Sequence, residues 1–142
     1  MAEVDEAAAI ASAREQLRLA SDVPAQAWPV RRIDRPGESY WFVVFGARDA
    51  ALGAAAVDAQ SGAVMVSAAL PGTQAQLAVD AAQALQIAGQ PPGTAIALAW
   101  QASAASRSPL YPLWAIAVGN ETLYVDQHGR IWRTLSGGER GG

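Results

Sequence analysis

The stretch Trp114–Trp132, WAIAVGNETLYVDQHGRIW, constrains the fold most. Trp114, Ile116 and Val118 alternate with Ala115 and Ala117, which sets three large side chains on one face of a strand. Gly119-Asn120 is a turn signal, since both residues tolerate positive φ. Leu123-Tyr124-Val125 makes a second strand, and Asp126-Gln127-His128-Gly129 closes a hairpin onto a return strand running to about Leu135. An Asp accepts from amides two residues on, and Gly takes the left-handed position of a short loop.

A looser copy lies upstream, from Trp41 to Val66. Trp28 matches Trp100, Trp41 matches Trp114, Gly46 matches Gly119, and Val57-Asp58 matches Val125-Asp126. Each half reads as helix, Trp-bearing strand, aromatic strand ending in Gly, then a hairpin with Val-Asp before a Gly turn. A repeat of this size is one supersecondary unit that buries a helix on its own sheet. The expected fold class is therefore α+β: a two-layer protein of tandem α-β-β-β(β) repeats, with antiparallel sheets each covered by one helix. The repeats are expected over residues 1–72 and 73–135, followed by a flexible tail, 136–142.

The remaining elements follow in chain order. Ile10, Ala13, Leu17 and Ala20 give an apolar helix face between about Asp5 and Ala20. A strand is expected near Ala27–Asp34, with Pro29 at an edge or a strand start, and another over Tyr40–Phe45. Ala47–Gly53 is a connection of unassigned form, and Ala54–Asp58 with Ala63–Ala69 is a hairpin. After Pro71-Gly72, Thr73 with Gln76 reads as a capping box opening a second helix that Gly89 ends. Ile96, Leu98 and Trp100 mark a strand. Ala102–Ser108 is a small, polar loop expected to pack poorly and to move.

Several function classes lose their footing here. With 13 acids against 10 basic residues, the net charge is −3, and every basic residue is an Arg, dispersed save for the adjacent Arg31-Arg32. A nucleic-acid stripe or anionic-membrane patch is not expected. No Cys is present, so thiolate catalysis and Cys-ligated metals are excluded. No apolar run approaches the roughly 20 residues of a membrane span, so no membrane insertion is expected. The acidic start, MAEVDEAAA, lacks the basic and apolar regions of a signal peptide. The chain is thus expected in the cytoplasm, or outside it with a leader removed.

His128 is the single histidine and falls in a hairpin turn, where Asp126 is expected to cap amides rather than serve a Ser-His-Asp site. No phosphate-binding glycine motif is present. The reading is a non-enzyme, with no catalytic, cofactor or metal residues. Trp41 and Trp114 are expected to fill the space over Ala-rich helix faces. Trp28, Tyr111 and Trp132 are candidates for a partner-binding surface. Arg31 and Arg32 either add charge to it or line a solvated strand edge.

Pro112-Leu113-Trp114 with Tyr124-Val125-Asp126-Gln127-His128-Gly129-Arg130-Ile131 resembles the PepSY domain family, and Trp41-Phe42-Val43-Val44 with Ala56–Val64 is a weaker match. The resemblance implies an envelope or extracytoplasmic, cofactor-free module that binds a protein or peptide and restrains a peptidase. The alternatives are a structural or self-assembly module and a carrier of small apolar ligands.

Overall fold

A computed structural model describes residues 3–47 and 49–135, so the tail expected at 136–142 lies outside the described residues. The chain divides into two compact units, Met1–Gln76 and Leu77–Gly142. The expected boundary at Gly72 falls short of this division. Ala51 N–H donates to the Gln74 carbonyl at 2.9 Å, which holds the segment after Gly72 against the first unit.

In the first unit, helix α1 (Glu6–Leu17) precedes strands β1 (Ala25–Arg32), β2 (Ser39–Ala47), β3 (Ala50–Asp58) and β4 (Val64–Ala69). The strands lie in the order β4-β3-β2-β1, each pair antiparallel. The Asp5 carboxylate accepts from Ala8 N–H at 2.8 Å and starts α1. The helix stops three residues before the expected Ala20, because Arg18 takes a left-handed conformation at φ 56°. Ala9 and Ala13 sit fully buried on Val43, Phe45, Ala55 and Val57. Small residues on helix and β3 bring the layers close. A Cβ on Gly53 would stand 2.9 Å from Leu17 Cδ1. Burying Phe45 alone contributes about 2–3 kcal/mol. The Arg14 guanidinium lies 5.1 Å from its ring centroid and donates to the carbonyls of Ala20 and Val23.

The segment Ala47–Gly53 proves to be strand on both sides of a tight reversal. Gly46 makes it possible at φ 110°, where the β2–β3 register shifts. Tyr40, Phe42 and Val44, on the β2 face turned away from α1, are buried as well. A continuous apolar run such as Tyr40–Phe45 marks a strand buried on both faces. β2 is thus buried on both faces.

The second unit holds helix α2 (Ala81–Ile87) and strands β5 (Ile96–Trp100), β6 (Leu113–Val118), β7 (Glu121–Val125) and β8 (Ile131–Trp132). They run β5-β6-β7-β8, again antiparallel pair by pair. The return strand β8 is only two residues long, short of the expected Leu135. The capping box at Thr73 and Gln76 is not used. Asp80 caps instead, accepting from Gln83 N–H at 2.8 Å, while the Gln83 side chain accepts from Asp80 N–H at 2.9 Å. Gly89, at φ 70°, ends the helix with Gln90 N–H on the Leu85 carbonyl, a Schellman closure.

The expected two-layer architecture is thereby corrected. The protein is α+β with antiparallel pairing dominant, but among the described residues it is mostly sheet, with eight strands against helices of 12 and 7 residues. A helix as short as α2 spans about 10 Å. It buries Ala84 and Leu85 and cannot cover a sheet as a full layer.

What recurs between the units is local. Trp41 pairs with Val57 across β2–β3, and Trp114 pairs with Val125 across β6–β7. Trp41 Nε1 donates to the Val4 carbonyl at 2.9 Å, and Trp114 Nε1 to the Val79 carbonyl at 2.7 Å. Each valine immediately precedes the Asp that caps its helix.

Candidate functional site

The β7–β8 hairpin positions the site. Asp126 is buried, and its carboxylate accepts three N–H groups. Oδ1 takes the backbone amides of His128 and Arg130, each at 2.9 Å, and Oδ2 takes the Trp132 indole at 2.8 Å. Gly129, at φ 84°, supplies the left-handed residue and donates to the Asp126 carbonyl. The turn is thus wound around one charged side chain, which leaves the side chains of His128 and Arg130 exposed. Gln127 points the other way. Its Oε1 accepts Val79 N–H at 2.8 Å and its Nε2 donates to the Pro112 carbonyl at 3.2 Å.

Facing the turn is the segment between β5 and β6. It was expected to be a loosely packed, moving loop, but Ser103 and Ser106 are buried. The two serines exchange backbone hydrogen bonds at 3.0 and 3.2 Å. Ser106 Oγ accepts the Trp100 indole at 3.1 Å and stands 2.6 Å from the Tyr111 carbonyl, to which it donates. Small polar residues hold this loop because their hydroxyls reach backbone groups that a larger side chain would displace.

Between loop and turn lies a cleft of about 340 Å³, whose lining includes Ala105, Arg107, Tyr111, Asp126, His128, Arg130 and Trp132. Tyr111 is about half exposed. Of the five partner-binding candidates from the sequence, the structure brings Tyr111 and Trp132 together here. The other three sit on β1. Trp28 is half-buried, its ring 5.9 Å from that of Phe42. Arg31 is exposed. Arg32 is engaged in a fork with Asp34, Nε to Oδ1 and a terminal nitrogen to Oδ2, both at 3.1 Å. That hydrogen bond holds the Asp34 carboxyl below its usual range.

Arg107, Arg130 and the Asp126 carboxylate were not among the candidates. The sequence signal for the cleft was the Asp-x-x-Gly turn, whose geometry throws residues 128 and 130 outward. The signal for the facing wall was weaker: Ser103 and Ser106 flank Ala104-Ala105 without any periodicity.

Ser106, His128 and Asp126 all line the cleft, yet they do not form a relay. The carboxylate accepts the His128 backbone amide, and the serine hydroxyl is held by Trp100 and Tyr111. Proton transfer along a Ser-His-Asp chain needs a ring nitrogen between the other two groups. Among the described residues, no group of three or more His, Cys, Asp or Glu side chains could hold a metal ion, and no helix is long and apolar enough to cross a membrane. Compared with protein-family models, curated proteins and solved structures, the chain matches none.

Proposed function

We propose that the protein is a non-enzymatic binding module and that the cleft of the second unit takes a peptide segment of a partner protein. The observation that carries this reading is the meeting of Tyr111 and Trp132 in one cleft whose two walls are each fixed by buried polar contacts. Aromatic side chains on a rigid frame supply contact area at little entropic cost, which is why they anchor interfaces. Charged groups around the cleft favour a peptide over a small apolar ligand. The likeness of the hairpin Tyr124–Ile131 to PepSY-like domains supports a peptidase as the partner, restrained rather than cleaved.

Selection of displayed random peptides on the 142-residue chain tests the reading. Peptides recovered should shift the backbone NMR signals of Ala105, Arg107, His128 and Arg130, and quench Trp132 fluorescence. Tyr111→Ala, which removes an exposed ring, should weaken them by about tenfold. Failure to select any peptide, or peptides that shift only signals elsewhere, would overturn the assignment.

A further inference from the structure

Building on the peptide reading of the cleft, we infer that its ligand is an acidic segment, held by Asp or Glu side chains between Arg107 and Arg130. Both residues line the cleft, one from each wall. Both residues are exposed, and among the described residues neither guanidinium has an ion-pair partner. The contrast with Arg32 and Arg14 is direct, since these are spent on Asp34 and on backbone carbonyls. The acid that lines the cleft is already occupied, since both Asp126 oxygens accept N–H groups of its own hairpin. It competes poorly for either arginine.

The remaining lining follows the same logic. Among the described residues, no other carboxylate borders the cleft. The second unit has four Arg and four acids in sequence, so no net positive charge of the unit accounts for the two arginines here. A guanidinium presents a planar fork that fits a carboxylate through two parallel hydrogen bonds. Tyr111 and Trp132 lie alongside for an apolar neighbour of the acidic residue. The segment recognised is therefore one in which carboxylates stand beside an aromatic or aliphatic side chain.

The test uses the peptides selected on the 142-residue chain, fused at both ends so that side-chain carboxylates are read. They should be rich in Asp and Glu. Exchanging those acids for Asn and Gln, or exchanging the arginines in an Arg107→Gln/Arg130→Gln variant, should each weaken binding by about tenfold or more. Binding should also fall with added salt. Arg133→Gln, which breaks only an exposed contact with Glu121, should leave affinity unchanged. The unfolding midpoint of the double variant should match that of the parent. Peptides that bind the cleft without acidic bias, or that bind the double variant as well as the parent, would overturn this inference and leave peptide binding standing. Recovery of no peptide would remove both.

Discussion

The indole N–H of Trp114 donates to the carbonyl of Val79 across 35 residues of sequence, at 2.7 Å, inside the core of the second unit. It fixes where the chain turns into α2, because Val79 is the residue before the Asp80 cap. Trp41 and Val4 make the same contact in the first unit, where the indole is only partly buried. Replacing Trp114 by Phe keeps an aromatic ring and leaves a buried carbonyl unpaired. The expected loss is about 1–3 kcal/mol, and Trp41→Phe should cost less. Urea unfolding of both variants measures this. Equal and negligible losses would show that the indole contact does not anchor the helix.

Asp80, not Thr73, begins the second helix. Asp80→Ala should lower stability by about 1 kcal/mol, while Thr73→Ala should change it by no more than about 0.5 kcal/mol. The reverse order in thermal melts would contradict the cap assigned here.

Gly46 carries the reversal between β2 and β3. A Cβ at this position would stand 2.7 Å from the Ala50 carbonyl oxygen and 2.9 Å from Leu52 N, and both are backbone atoms that cannot swing aside. Gly46→Ala is expected to cost about 2 kcal/mol or more, from the positive φ and the clash together. An unchanged melting temperature would mean that the bulge is easily remodelled.

Burial pushes the Tyr40 phenol well above its ordinary value of 10.0. The folded chain holds the proton while the unfolded chain releases it. The associated stability is therefore complete below about pH 10 and is lost as pH rises, by about 1.4 kcal/mol per pH unit. Tyr40→Phe lacks that loss. Denaturant midpoints of parent and variant should thus diverge above pH 10 in favour of the variant. Parallel curves would show that Tyr40 ionises freely in the folded chain.

The hairpins were legible because their chemistry is local. Asp126 and Gly129 write the turn into four residues, and Asp58 with Gly62 does so upstream. Helix limits were less so. Thr73 and Gln76 satisfy the capping pattern as well as Asp80 and Gln83 do, and the choice is made by Gln127 and Trp114, which draw Val79 into an extended path. The dipeptide Val-Asp precedes both helices, as Val4-Asp5 and Val79-Asp80, but it also opens both hairpin turns, as Val57-Asp58 and Val125-Asp126, so it does not decide the choice. The expected layer count fails at β2, which is buried on both faces. The run Tyr40–Phe45 has no polar residue to present to water. In the cleft, Tyr111 and Trp132 could be picked out as aromatics beside a proline or near the chain end. The arginines could not, since which way a turn side chain faces depends on the turn's own hydrogen bonds.

Asp126 and Gln127 are adjacent and answer to different masters: one winds its own hairpin, the other clasps Val79 and Pro112 far along the chain. Their neighbours His128 and Arg130 give only backbone groups to the turn, so almost any non-proline side chain can stand there without harm to the fold. Under random mutagenesis the two kinds of position should part company. A screen for folded protein should tolerate little at 126 and 127, while 128 and 130 drift. The cleft can therefore change its partner one exposed residue at a time, over a frame that selection for folding alone would keep in place.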